Sequence, residues 1–78
     1  MRGFVKQDAR SPTGLTVELM PPEAAAMLFF NGDVVALKMP GGERIGGRVI
    51  RSVTGEPIVV AVPNRRLQPG TELSMATS

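Results

Sequence analysis

The sequence predicts a single, mostly β domain over residues 1–78, built as a closed six-stranded β-barrel with one short helix. Short strand-like segments recur along the 78 residues, and glycine or proline separates them. The order strand, proline, connector, glycine, strand occurs twice, so the chain has two similar halves. Three strands from each half would leave unpaired edges, and closing the two halves on each other removes those edges.

Strand patterns occur at six places in the chain: 4–6, 15–19, 33–39, 44–51, 58–62 and 71–75. Most of them alternate apolar and polar residues, which is typical of a strand with one buried face. Pro40-Gly41-Gly42 between the third and fourth strands predicts a hairpin turn. The fifth segment is continuously apolar, so we expect it to be covered on both faces and to be the most buried strand.

A short helix is predicted at about 22–30, between the second and third strands. Proline suits a first helical position, a glutamate complements the positive end of the helix dipole, and three alanines follow. Gly32 closes the helix. We expect Ala25, Leu28 and Phe29 to form an apolar stripe that covers one mouth of the barrel.

The internal repeat predicts which segments are equivalent. Residues 15–21 superpose on residues 57–63, and residues 32–37 superpose on residues 70–75. The strand at 4–6 then corresponds to residues 48–50. We expect the two halves to be related by an approximate twofold axis and to share one apolar interior.

The same segments carry a resemblance to a known family. Leu19-Met20-Pro21-Pro22-Glu23 leads into the helix, residues 31–37 read Asn-Gly-Asp-Val-Val-Ala-Leu, and residues 65–73 read Arg-Arg-Leu-Gln-Pro-Gly-Thr-Glu-Leu. Over about residues 4–75 the chain resembles the double-psi β-barrels, and most closely the N-terminal barrel of the valosin-containing-protein class of AAA+ ATPases. The resemblance implies a pseudo-twofold double-psi barrel that recognises substrates or adaptors, with another protein or a parent ATPase module as partner.

The residue types argue against catalysis. Cysteine and histidine are both absent, which removes thiolate nucleophiles, disulfides, tetrahedral zinc sites and the side chain best suited to proton transfer near neutral pH. A hard cation needs clustered oxygen ligands, and Asp33 stands alone, so we expect Asp33 to be a turn or cap residue. The sequence predicts a protein that is not an enzyme and that has no metal and no cofactor.

One cluster of arginines suits an anionic partner surface. Arg44 and Arg48 lie on the fourth strand, and Arg65 and Arg66 lie in the connector before the last strand. Arginines can bind carboxylate or phosphate through two parallel hydrogen bonds. Strict alternation places Arg48 and Arg51 on opposite faces, because they are three positions apart. The cluster is either a solvated rim or a partner-binding surface. If it binds a partner, we expect Arg65 and Arg66 to do so first, with Arg44 and Arg48.

Charge and hydropathy bound the remaining partners and the location. A net charge of +2, with no aromatic residue between the arginines, falls short of a nucleic-acid signature. No stretch approaches the roughly 20 apolar residues of a membrane span, and residues 1–6 show no signal core. We therefore expect a cytoplasmic protein without nucleic-acid or membrane partners, and swapped halves would give a homodimer.

Two alternatives stay open at this point. The C-terminal barrel of molybdopterin oxidoreductases is similar at residues 22–25 (Pro-Glu-Ala-Ala) and 32–35 (Gly-Asp-Val-Val), which would imply a barrel that helps to enclose a pterin dinucleotide. The other alternative is a reconstructed or engineered minimal barrel without a ligand.

Gly46-Gly47 is expected to mark a bulge or a close crossing of strands.

Overall fold

The computed structural model describes residues 1–23, 28–63 and 67–75, which form a closed barrel of six strands. The strands are β1 (Arg2–Gln7), β2 (Leu15–Met20), β3 (Val34–Lys38), β4 (Arg44–Arg51), β5 (Ile58–Ala61) and β6 (Glu72–Met75). Around the barrel their order is β1-β2-β5-β4-β3-β6, and all neighbouring pairs are antiparallel. The predicted β class and the closed six-stranded barrel are confirmed.

Aliphatic side chains from alternate strand positions fill the barrel interior. Its core consists of Val5, Leu15, Val17, Leu19, Val35, Leu37, Ile45, Val49, Ile58, Val60, Val62, Leu67 and Leu73. The fifth strand is covered on both faces, as its apolar run predicts: Ile58 and Val60 belong to this core, and Val59 on the outer face is also buried.

The predicted hairpin between β3 and β4 is present. The backbone N–H of Met39 donates to the carbonyl of Glu43 at 2.7 Å, and the N–H of Gly42 donates to the carbonyl of Met39 at 2.9 Å. Gly42 has a φ of 93°, a conformation in which a Cβ atom would be strained, so a glycine is required where this turn reverses the chain.

The predicted helix at about 22–30 falls largely on residues 24–27, which lie outside the described residues. The described part of the chain contains no complete helix, and the predicted member Ala25 also lies outside it. Of the expected apolar stripe, Phe29 packs against the core, but Leu28 is 61% exposed and does not cover the barrel mouth. The prediction for Leu28 is therefore wrong.

The superposition of residues 15–21 on residues 57–63 is out of phase by one residue. It places Val17 of β2 over Val59, yet Val17 points into the core and Val59 lies on the outer face. A shift of one position places Val17 over Val60, which does point inward. The error arises because a continuously apolar run does not reveal which of its residues face the interior.

The two halves of the chain exchange their third strands. Within the described residues, β3 pairs with β4 and β6, which both belong to the second half. In the same way β6 pairs with β1 and β3, which both belong to the first half. The short β3–β4 turn is thus the covalent link between two interlocked halves.

Candidate functional site

The outer wall of the barrel carries an open groove of about 460 Å³ over β3, β4 and β5. Residues from these strands, from the β1–β2 loop and from the two positions after β5 line it: Ser11, Pro12, Thr13, Val34, Gly46, Gly47, Arg48, Ile50, Ala61, Val62 and Pro63. Most of these side chains are apolar. Val34 at the groove is 71% exposed, which is a large exposure for a valine on a strand. This is the arrangement of a surface site for an apolar group.

Two adjacent glycines of β4 contribute to the groove in different ways. A Cβ atom at Gly47 would lie 2.5 Å from Val60 Cγ1 and 3.0 Å from the carbonyl oxygen of Ala61, so only glycine fits there. Gly47 therefore marks a close approach of β5 to β4, whereas the bulge that was the other expectation for Gly46-Gly47 lies between Val49 and Arg51. Gly46 faces the outside, and a Cβ atom there would meet nothing within 4 Å. The absence of a side chain at Gly46 leaves space above the strands.

The β1–β2 loop borders the groove and is fixed by its own hydrogen bonds. The hydroxyl of Thr13 donates to the carbonyl of Val62 at 2.5 Å, which joins the loop to the residue after β5. The N–H of Asp8 donates to the carbonyl of Gly14 at 2.8 Å, and the N–H of Gly14 donates to that of Ser11 at 3.0 Å. These contacts give the groove a defined border on this side.

An ion pair stabilises the same loop at its exposed end. The Nε of Arg10 donates to Asp8 Oδ1 at 3.0 Å, and the backbone N–H of Arg10 donates to the same oxygen at 2.9 Å. The side-chain hydrogen bond from Arg10, and then the one from its backbone, lower the pKa of Asp8 from 3.8 to about 2. The carboxylate of Asp8 raises the pKa of Arg10 in turn.

Two of the four predicted partner-binding arginines can be placed. Arg44 and Arg48 are both exposed on the outer face of β4, with Gly46 between them, and Arg48 also lines the groove. Arg65 and Arg66 lie outside the described residues. The structure therefore brings one predicted residue, Arg48, to the apolar groove and places Arg44 further along the same face.

The prediction that Arg48 and Arg51 face opposite sides is wrong. The pairing of β4 with β5 shifts register between Val49 and Arg51, so that Arg51 lies opposite Val59 on the outer face. Arg51 is exposed and forms an ion pair with Glu56 at 2.8 Å. A bulge inserts one extra residue, and every later side chain changes face. A sequence pattern without this bulge gives the wrong face.

Asp33 is a turn residue, as predicted. Its backbone N–H donates to the carbonyl of Phe30 at 3.0 Å, and the N–H of Phe30 donates to Asp33 Oδ2 at 2.8 Å. The carboxylate thus closes the turn that leads into β3. No group of three or more His, Cys, Asp or Glu residues that could hold a metal ion occurs among residues 1–23, 28–63 and 67–75.

The sequence does not predict the apolar part of the groove. One signal was present: the alternation that turns Val35 and Leu37 inward assigns Val34 to the outside, where an exposed valine on a strand is a candidate contact. The approach of Pro12 and Thr13 to β5 had no such signal, because it depends on how the barrel closes.

Comparisons of the chain with models of protein families, with curated proteins and with solved structures give no match. The fold and the site define the class of protein: a closed six-stranded antiparallel β-barrel with an apolar groove on its outer wall. No helix in the described part of the chain is long and apolar enough to cross a membrane.

Proposed function

We propose that this protein is a non-catalytic protein-binding module and that the groove over β3, β4 and β5 is its binding site. The observation that carries the proposal is the apolar lining of this groove together with the missing side chain at Gly46. A large apolar side chain of a partner would cover Val34 and the bare backbone of Gly46, and would remove both from water. Burial of apolar surface contributes about 25 cal/mol per Å² before the costs of association.

The architecture around the groove supports a binding role. Its base consists of three hydrogen-bonded strands, and the Thr13 hydroxyl ties the loop beside it to Val62. A site on paired strands changes shape less than a site on free loops, so less ordering entropy is lost when a partner binds. Binding energy in such sites concentrates in one or two anchor side chains that fill a pocket.

We also propose the finer assignment, to the double-psi β-barrels and to the substrate- or adaptor-recognising barrels of AAA+ ATPases in the cytoplasm. Two features of the strands support it besides the resemblance of residues. The strand order is unchanged when β1, β2 and β3 are exchanged with β4, β5 and β6. In addition, Gly3 of β1 and Gly47 of β4 both lack room for a Cβ atom beside an inward valine of the next strand.

The binding site is tested with a randomised seven-residue peptide library displayed on phage and panned against the immobilised chain. Enriched peptides are synthesised, and their dissociation constants are measured by fluorescence anisotropy. Gly46→Phe places a ring in the groove, and we expect it to weaken binding by about tenfold or more, which is the loss of roughly 1.4 kcal/mol or more from one anchor.

The matched control is Gln7→Phe, which adds the same ring at an exposed position of β1, three strands away from β4 around the barrel. Peptides should bind this variant as they bind the original chain. If no peptide is enriched, or if Gly46→Phe and Gln7→Phe bind equally well, the groove is not the binding site. Circular dichroism of both variants verifies that the barrel is intact.

A further inference from the structure

The basic residues of the described chain fall into two groups that differ in their partners. Four of them form ion pairs with acidic residues at 3.1 Å or less: Arg2 with Glu72, Lys6 with Glu18, Arg10 with Asp8, and Arg51 with Glu56. Their charges are locally neutralised. Lys38, Arg44 and Arg48 form no ion pair with any residue in the described ranges.

These three cations share one surface, which we call the basic strip: Lys38, Arg44 and Arg48 on the outer face of the β3–β4 hairpin. Lys38 and Arg44 lie directly opposite each other in the register of the two strands. Like charges in such a pair repel, so this arrangement destabilises the free protein, and an anionic partner would relieve it. Glu43, in the turn of the hairpin, is exposed and lies outside both strands.

Arg48 connects the basic strip to the groove. One of its terminal nitrogens, Nη1, donates to the carbonyl of Gly32 at 3.0 Å, which fixes the direction of the side chain. A guanidinium has five N–H donors, so further donors stay available at the edge of the groove. An arginine that is already oriented loses less entropy when it binds a carboxylate.

We propose that the groove binds an extended peptide segment in which a large apolar residue lies next to an aspartate or glutamate. A second acidic residue lies about four positions from the first acidic residue. The inference rests on the proposed function and names the partner that the same site selects. The apolar side chain occupies the groove over Gly46, and the neighbouring carboxylate binds Arg48. Arg44 lies four residues from Arg48 on the same face, about 13 Å at strand spacing, so an extended peptide reaches it with its second carboxylate.

The peptides enriched by panning provide the first test, because their composition is read directly. We expect an acidic residue beside an apolar one in the consensus. Arg48→Gln should weaken binding of such a peptide by about tenfold or more, since hydrogen bonds to charged groups are the strong ones. Lys38→Gln with Arg44→Gln should weaken it too and should reduce its dependence on salt concentration.

The matched control is Arg51→Gln. This residue is on the same strand and the same face, but it already pairs with Glu56 and does not line the groove, so its loss should leave the affinity unchanged. Thermal unfolding of each variant shows whether it is folded. An enriched consensus without acidic residues, or equal affinity for the Arg48 and Arg51 variants, overturns this inference. If Gly46→Phe still abolishes binding in that case, the groove itself stands.

Discussion

Gly46 and Gly47 are neighbours in β4 but face opposite sides of the barrel wall. Gly47→Ala would push a methyl group against Val60 and the Ala61 carbonyl, so we expect the free energy of unfolding to fall by about 1–3 kcal/mol. At Gly46 an added methyl group meets open space, and alanine makes the unfolded chain less flexible. We therefore expect Gly46→Ala to raise the free energy of unfolding by about 0.4–1 kcal/mol. Urea denaturation of the two variants measures both. Equal effects would mean that the strand does not have this orientation.

Thr16 of β2 has a buried hydroxyl without a hydrogen-bond partner among the described residues. The residue is 1% exposed, and its Oγ1 has no partner in the part of the chain that the structure describes. Burying an unsatisfied hydroxyl costs about 1–3 kcal/mol, so we expect Thr16→Val to raise the free energy of unfolding by about 1 kcal/mol.

The control for this prediction is the same substitution at Thr13, whose hydroxyl does have a partner. Thr13→Val removes the hydrogen bond to Val62 and leaves that carbonyl without its donor. We expect the free energy of unfolding to fall by about 1 kcal/mol. Guanidinium denaturation of the two variants should therefore give shifts of opposite sign, and a fall in stability for both would show that the hydroxyl of Thr16 is satisfied.

At the scale of elements, the β1–β2 loop makes stability depend on pH through Asp8. Its pKa is about 2 in the folded chain and 3.8 in the reference state, so folding favours the ionised form. The resulting stabilisation is present above the unfolded pKa and is lost as the pH falls through the folded pKa. We expect the difference in urea midpoint between the original chain and Asp8→Asn to be constant above about pH 5, to change as the pH falls through both pKa values, and to reach a second constant level by about pH 1.

The cause of this pH dependence is tested by Arg10→Gln, which removes the side-chain donor that lowers the pKa of Asp8 most. In that background the pH-dependent part of the Asp8→Asn effect on the urea midpoint, between about pH 5 and pH 1, should be much smaller. If Asp8→Asn has the same effect with and without Arg10, a group other than Arg10 lowers the pKa of Asp8.

The strands could be predicted from the sequence, but their finer relations could not. Alternation of apolar and polar residues, as around Val35 and Leu37 in β3, assigns the inner and outer faces correctly where the strand is regular. It fails at the bulge near Arg51, because the register shift depends on the neighbouring strand β5. The groove could not be predicted from alternation alone, because it forms only where the β1–β2 loop with Thr13 contacts the residue after β5. Among the groove residues, Arg48 was predicted from its charge, and alternation could also have assigned Val34 to the outer face.

At the scale of the whole molecule, the barrel depends on strands that belong to opposite halves. The partners of β3 are β4 and β6, and the partners of β6 are β1 and β3. A half on its own would retain one pair of strands and would expose its inward residues to water. An isolated pair of strands is at best marginally stable in water, so a single half should not fold. The same exchange is the physical basis for the predicted homodimer by swapped halves, which stays a prediction.

Cutting the chain between Gly41 and Gly42 separates the two halves at the exposed turn. We expect residues 1–41 and residues 42–78 to be unfolded alone and to fold when mixed, because only together do they complete the pairing of β3 and β6. Circular dichroism and the solution mass of the mixture test this, with a 1:1 complex as the expected result. Leu37→Asp in the first fragment should abolish folding of the mixture, since Leu37 is fully buried in the core, whereas Lys38→Ser on the adjacent exposed position should not. A fragment that folds by itself, or a mixture that stays unfolded while the uncut chain folds, would contradict the interlocked arrangement.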